Sequence, residues 1–144
     1  MSVPPPTGRP TVEEVARFIR ARTKDEQGNE VGTFDSATRP TDLQVLDHID
    51  AAEALVGLHL PALDTLPARL LDATATVVAL EAACQIEKSY WPEQVTTGRS
   101  PYQQLRDEAD KALEALLSQV SGSEYVNNFA SVPVGSWTTM GQWP

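Results

Sequence analysis

Apolar residues recur at helical spacing in four stretches of this chain, separated by proline, glycine and polar residues. Within each stretch they fall three or four residues apart, which places them on one side of an α-helix. Thr11 and Thr41 precede the first two stretches, each with a glutamate or glutamine three residues later, the pattern of a capping box. Ser100 followed by Pro101 marks the start of the last stretch, with Gln103 in the capping-box position. The predicted helices cover residues 12–22, 42–57, 68–89 and 101–120.

The third predicted helix differs from the others because it is apolar around most of its circumference. Between Ala73 and Cys84 it carries a single charge, Glu81. A helix with apolar residues on nearly every side lies at the centre of its fold or between subunits. The pattern therefore predicts an all-α fold of about four helices, with a long apolar central helix.

Two segments lie outside this helical pattern. Residues 23–39 lose the period and contain Gly28 and Gly32, so we expect a long loop or a small hairpin there. Residues 1–10 contain four prolines, which lack a backbone N–H and fix φ. We therefore expect an extended, proline-rich N-terminal arm.

The last segment, residues 121–144, is nearly uncharged and rich in aromatic residues. Glu124 is its one charged side chain, and its proline and glycines oppose a helix. Disordered tails are typically charged and poor in aromatics, whereas aromatic side chains are typical anchors of interfaces. We predict an extended arm that docks on another chain; the alternative is an arm that wraps back over its own domain. The anchors of the predicted arm are Tyr125, Phe129, Val132, Trp137 and Trp143.

Charge is uneven across the resulting plan of an N-terminal arm (1–10), a helical domain (11–120) and a C-terminal docking arm (121–144). The formal net charge of −9 disfavours a dedicated nucleic-acid binder, because such a protein needs a basic face. Residues 24–60 hold two basic and eight acidic side chains, whereas residues 1–23 hold four arginines and two glutamates. The simplest interpretation is a solvated acidic surface, but opposite charges can also join unlike faces of neighbouring subunits.

Few residues offer chemistry. Cys84 is the one cysteine and lies among apolar residues, so we interpret it as a small buried side chain rather than a nucleophile. His48 and His59 share no metal-ligand spacing with each other or with Cys84. We find no phosphate loop, nucleophile elbow or zinc-protease motif, and no apolar run near the length of a membrane span. The sequence predicts no enzyme, no cofactor, no metal and no membrane partner, and a protein made and used inside a cell.

Two short segments resemble those of a known family. The segment from Thr33 to Thr41, TFDSATRPT, resembles the GTFT…TRPT segment of head-to-tail adaptor proteins from phages of actinobacteria. The segment from Glu87 to Gln94, EKSYWPEQ, resembles their ELSYFPEQ segment, with Lys88 and Trp91 as departures. The order of the segments and the long helix before the second also match, over roughly residues 11–120. The residues that carry the resemblance are Thr33, Phe34, Arg39, Pro40, Thr41, Glu87, Tyr90, Trp91, Pro92 and Glu93.

The resemblance implies a helical virion protein that forms a ring, of about twelve copies, below the phage portal. Such a ring extends the DNA channel, completes the head after packaging, and presents a surface to the next neck or tail protein. The C-terminal arm of related proteins reaches the portal, which would give the aromatic segment its partner. The protein would be assembled in the host cytoplasm and would reside in the virion neck.

A ring of acidic subunits would repel DNA phosphates, so that DNA slides through the channel without binding. We expect some acid of residues 24–60 to face this lumen, namely Asp25, Glu26 and Glu30. The alternative function is a small helical DNA-packaging or DNA-binding regulatory subunit, whose basic face would have to come from the first 23 residues. A third possibility is an enzyme with a composite site between subunits. The arginines available to a DNA-binding face are Arg9, Arg17, Arg20 and Arg22.

Overall fold

The computed structural model describes residues 6–122 as an all-α body, with no strand in that range. Residues 1–5 and 123–144 lie outside the described part, and so do all five predicted anchors of the docking arm. Two short 3-10 helices, Arg20–Arg22 and Leu63–Thr65, accompany the α-helices. The α-helices are α1 (Val12–Phe18), α2 (Asp42–Gly57), α3 (Ala68–Tyr90), α4 (Pro92–Thr97) and α5 (Tyr102–Ser121).

Two of the three predicted capping boxes are confirmed, those at Thr11 and Thr41. The Thr11 hydroxyl accepts a hydrogen bond from the backbone N–H of Glu14, and the Glu14 carboxylate accepts one from the backbone N–H of Thr11. Thr41 and Gln44 make the same reciprocal pair at the start of α2. Each pair satisfies two backbone donors that a helix start leaves free, and so fixes where the helix begins.

The helices differ from the expectation at the end of α1, in the presence of α4 and at the start of α5. Helix α1 ends at Phe18, because Ile19 leaves helical geometry at φ −133° and ψ 45° and the chain tightens into a 3-10 turn. The short helix α4 was not predicted. Helix α5 begins at Tyr102, where the Ser100 hydroxyl accepts from the Tyr102 N–H, and the expected capping box with Gln103 does not form. The Gln103 amide instead donates to Asp107 one turn along the helix.

Helix α3 contacts each of the other four α-helices, so the core is built along it. Helix α2 lies on it through four buried residues, Val45, Ile49, Ala52 and Val56. Helix α5 also packs on α3, and buries Leu105, Ala109, Leu116 and Val120. The buried residues of α3 itself are Leu70, Thr74, Val77, Val78, Ala79, Leu80, Ala82, Ala83, Cys84, Ile86 and Glu87.

Residues 23–39 form a loop closed by two isolated antiparallel bridges, Lys24 with Glu30 and Asp25 with Thr38. The Asp25 carboxylate accepts hydrogen bonds from the backbone N–H groups of Gln27 and Asn29, which shapes the tip of the loop. At its end the Arg39–Pro40 peptide bond is cis, and the Pro40 side chain is fully buried. The loop is thus held by its own polar contacts at the tip and by packing at its end.

Residues 6–11, which precede α1, lie on the helical body without regular structure. Gly8 is buried with φ +85°, and a β-carbon there would lie 3.3 Å from Leu63 Cδ1 and 3.5 Å from Leu71 Cδ2. Arg9 pairs with Asp50 at 2.8 Å and with Glu53 at 3.1 Å, both on α2. Residues 8 and 9 therefore attach the start of the body to its second and third helices.

Gly8→Ala should destabilise the protein more than Gly28→Ala does. Both glycines have φ +85°, which costs a residue with a β-carbon about 1–2 kcal/mol, but nothing lies within 4 Å of a β-carbon at Gly28. The contacts with Leu63 and Leu71 should raise the loss at position 8 to about 2–3 kcal/mol. Urea unfolding followed by circular dichroism measures both. Equal losses at the two positions would contradict the close packing of Gly8.

Candidate functional site

A fully buried carboxylate, Glu87, lies near the end of α3 and is bound by an arginine that precedes it by 65 residues in the sequence. Arg22 Nε donates to Glu87 Oε2 at 2.8 Å, and Arg22 Nη2 donates to Glu87 Oε1 at 2.9 Å. The same Nη2 donates to Gln94 Oε1 at 2.8 Å, and the guanidinium carbon lies 4.1 Å from the centre of the Trp91 ring. The guanidinium is therefore bound in its plane by two side chains and covered by an aromatic ring, a geometry suited to arginine and not to lysine.

The local sequence explains how these groups meet. The 3-10 turn at Arg20–Arg22 follows the break at Ile19 and brings Arg22 to α3. At the other side, Trp91 leaves helical geometry at φ −132° and Pro92 starts α4 at a position where its missing N–H is not needed. This corner between α3 and α4 directs Trp91 and Gln94 to the same guanidinium. Arg22, Glu87, Trp91 and Gln94 are called the arginine clamp below.

A cleft of about 330 Å³ lies beside the arginine clamp. Its charged side chains are internally paired in part: Arg39 forms an ion pair with Glu26, and Asp25 accepts backbone hydrogen bonds of the loop. Arg39 belongs to the first segment of the family resemblance and Trp91 to the second, so the two segments meet here. The cleft is lined by Ala21, Arg22, Lys24, Asp25, Glu26, Gly28, Arg39 and Trp91.

The other residues of the first segment serve the loop and the start of α2. Phe34 is buried in the core. The Thr38 hydroxyl donates to the Pro40 carbonyl oxygen at 2.7 Å, and Thr41 caps α2. The hydroxyl oxygen of Thr33 is buried and makes no hydrogen bond within residues 6–122. These contacts give most of the segment a structural role.

The second segment divides between the interior and the surface. Glu87 is buried and Trp91 is half-buried, whereas Tyr90, Pro92 and Glu93 are exposed. The Tyr90 ring lies edge-on to the His48 ring with centres 5.8 Å apart, so it joins the end of α3 to α2. Interior positions of this segment hold the arginine clamp together, and its surface positions face solvent.

The three acidic residues expected in the lumen have different surroundings. Asp25 is half-buried and shapes the loop tip, Glu26 is paired with Arg39, and Glu30 is exposed. Whether any of them faces a channel stays a prediction. Of the three, Glu30 is the one whose carboxylate makes no hydrogen bond or ion pair within the loop. Its substitution therefore tests the lumenal role with the least effect on the loop structure.

The candidate chemical residues Cys84, His48 and His59 differ in their surroundings. Burial raises the pKa of Cys84 to about 12, so its thiol stays protonated through the neutral range. His48 Nδ1 lies 3.4 Å from the Gln85 amide oxygen, and His59 is exposed. No group of three or more His, Cys, Asp or Glu side chains in residues 6–122 could hold a metal ion. Within the same range, no helix combines the length and apolar character that crossing a membrane requires.

A second, half-buried ion pair joins α3 to α5. Arg106 donates to both oxygens of Glu81, at 2.6 and 3.0 Å, and also to Asp110 one turn further along α5. The hydrogen bond with Glu81 raises the pKa of Arg106. The single charge of the apolar stretch of α3 is therefore matched by a partner on the neighbouring helix.

Comparison of the chain with protein-family models, with curated proteins and with solved structures gives no match. The resemblance to phage adaptors therefore rests on the two segments and on their order in the sequence.

Two members of the arginine clamp escaped the sequence interpretation. Arg22 was assigned to a basic surface, and Gln94 was part of the resembling segment without a role. The sequence nevertheless indicates that Glu87 has a buried partner, because it follows residues 73–86 of the helix, which carry one charge, Glu81. A carboxylate in such a helix requires a cationic partner, and only tertiary structure identifies which one.

Arg22→Ala should destabilise the protein by about 3–5 kcal/mol, because it leaves a buried carboxylate without its cation. Glu26→Ala is the matched control: it breaks an exposed arginine–carboxylate pair and should cost less than about 1 kcal/mol. Urea unfolding measures both. The double variant Arg22→Met with Glu87→Met should recover most of the lost stability, since no unpaired charge remains. A loss below about 1 kcal/mol for Arg22→Ala would show that the pair does not hold the fold.

Proposed function

We propose that this chain is a virion structural protein, a head-to-tail adaptor that forms a ring below the portal, extends the DNA channel and joins the head to the neck or tail. The observation that carries the proposal is the meeting of the two family-like segments around Arg22. Arg39 and Trp91 are distant in the sequence, yet they line one cleft beside the arginine clamp.

This meeting supports the proposal because residues with a shared structural task have a physical reason to occur together. Glu87 needs Arg22, Trp91 covers Arg22, and Arg39 closes the loop that follows Arg22. A chance likeness in two short segments would not be expected to converge on one site. The polar side chains of the site are largely paired with each other, as expected for a part of the body that is held rigid.

In this proposal α3 is the long central helix of each subunit, with α1 and α2 packed on it to form part of the ring wall. The nearly uncharged segment after α5 leaves the body as an arm that docks on the portal through Tyr125, Phe129, Val132, Trp137 and Trp143. Large aromatic side chains suit this task because they bury much area with few rotatable bonds. No enzymatic step and no cofactor are part of the proposal.

Removal of residues 123–144 should leave a folded helical body that no longer joins the portal. The core residues of the described body lie between Val15 and Val120, so the truncation removes none of them. Co-sedimentation with portal rings of the same phage measures binding, circular dichroism measures folding, and electron microscopy of the full-length complex counts the copies, with twelve expected. Normal co-sedimentation of the folded truncated chain would refute the docking arm.

Glu30→Gln should slow DNA ejection and lower phage titre several-fold, because each ring would lose one negative charge per subunit from its channel wall. Asp25 is unsuited to this test, since its carboxylate shapes the loop. Glu108→Gln is the control: it removes the same charge from an exposed position of α5. In vitro ejection kinetics together with plaque counts provide the measurement. Titres and kinetics equal to those of the control would exclude a lumenal role for Glu30.

The alternative function, a DNA-packaging or DNA-binding regulatory subunit, has less support from the charges. Arg9 is paired with Asp50 and Glu53, and Arg22 is paired with Glu87. Of the four arginines available to a DNA-binding face, Arg17 and Arg20 are exposed. A salt-sensitive gel shift by the purified chain would favour this alternative over the adaptor.

A further inference from the structure

The outer face of α2 exposes an apolar surface without a covering element among residues 6–122. Leu43 is 68% exposed, Leu55 is 48% exposed and Leu58 is 79% exposed, which makes α2 the main site of exposed large apolar residues in the described body. Leu43, Ala54 and Leu58 share one side of the helix, because they are spaced by eleven and four residues. At 1.5 Å per residue this side is about 22 Å long, and Asp47 and Asp50 lie on it between Leu43 and Ala54. We call it the α2 face.

Acidic side chains accompany the α2 face at its N-terminal half. Asp42 and Asp47 make no ion pair among the described residues. Asp50 and Glu53, which follow them, are already paired with Arg9. Asp47 is exposed one turn after Leu43, so the available negative charge lies next to an exposed leucine.

A second surface has the opposite charge. Arg17, Arg20 and Lys24 are exposed and make no ion pair within residues 6–122. Val31 is 39% exposed and lies near these side chains. Its backbone N–H donates to the Thr23 carbonyl oxygen, and a β-carbon placed on the neighbouring Gly32 would lie 4.0 Å from the Arg20 guanidinium. We call Arg17, Arg20, Lys24 and Val31 the basic patch.

We propose that the α2 face of one copy docks on the basic patch of a second copy, in a head-to-tail contact. Each surface combines exposed apolar side chains with unpaired charge, and the two charges are opposite, so the surfaces complement each other. A parallel symmetric contact of two α2 faces would place acid against acid, which costs affinity. DNA and anionic lipid would be repelled by the α2 face in the same way.

Contact between unlike faces has a consequence for assembly. Such a contact leaves a free α2 face at one end of every pair and a free basic patch at the other. Further copies therefore add until the rotation between neighbours closes a ring. The inference rests on the proposed ring for its biological meaning, but the contact itself can be tested on the purified full-length chain without a portal.

Two charge reversals separate the two surfaces. Asp47→Lys blocks the α2 face and leaves the basic patch intact, and Arg20→Glu does the reverse. Neither variant alone should form the head-to-tail contact. In a mixture, the intact α2 face of the Arg20→Glu chain can dock on the intact basic patch of the Asp47→Lys chain. The ¹⁵N-labelled Asp47→Lys chain is titrated with the unlabelled Arg20→Glu chain up to about 1 mM, a range in which weak contacts are detected. Backbone shift changes in residues 17–31 of the labelled chain, with saturation, are the expected result.

Matched controls fix the interpretation. Unlabelled Asp47→Lys as the added chain should bind at least about tenfold more weakly, because its substituted side chain places a positive charge against the basic patch. Glu114→Lys and Lys111→Glu make the same charge changes at exposed positions of α5, which belongs to neither surface, and should leave wild-type self-association unchanged. Salt at about 0.5 M should weaken the mixed pair.

Absence of shift changes at the highest concentration would overturn the contact, as would changes that appear equally with the like variant or that map outside both residues 17–31 and the α2 face. The outcome is distinguishable from failure of the adaptor function. If the mixture shows no contact while the wild-type chain assembles on portal, the ring uses other surfaces. If the mixture binds while the wild-type chain ignores portal, the contact stands and the adaptor function does not.

Discussion

The body depends on one buried ion pair, between Arg22 and Glu87. Moving a carboxylate out of water costs several kcal/mol, and the cost is offset only when its oxygens are occupied by well-placed donors. Arg22 fills both oxygens, and its remaining donor capacity is used in part by Gln94. Because Trp91 covers the guanidinium, the clamp ties together the turn before the loop, the end of α3 and the start of α4.

Other arginines repeat this arrangement at the edges of the core. Arg9 ties the chain before α1 to α2, Arg39 closes the loop over residues 24–39, and Arg106 ties α5 to α3. The apolar core supplies most of the driving force along α3, but apolar contacts alone tolerate sliding and rotation of helices. Arg22 and Arg106 each bind both oxygens of one carboxylate. Such bidentate pairs have a fixed geometry, and they specify how neighbouring segments are aligned. The exposed pair of Arg39 is expected to contribute least of the four.

The helices that the sequence predicted are those whose signals are local. The capping boxes at Thr11 and Thr41 and the apolar period of α2 each involve residues within a few positions, so they can be identified without a fold. The 3-10 turn after the break at Ile19 instead brings Arg22 to Glu87, 65 residues away, and no local pattern encodes that contact. The same limit applied to the candidate site: Glu87, Trp91 and Arg39 were singled out by resemblance, but Arg22 and Gln94 required the tertiary structure. The docking arm and the lumenal role of Glu30 depend on other chains, so they remain predictions.

The attachment of Gly8 and Arg9 also bears on when this chain can fold during synthesis. The first residues of the body lie against α2, against Leu63 and against Leu71 and Thr74 of α3, all of which leave the ribosome later. Helix α1 likewise finds its main contacts on α3. The nascent chain therefore has little to pack against until Tyr90 has emerged, and the early segments stay available to chaperones until that point.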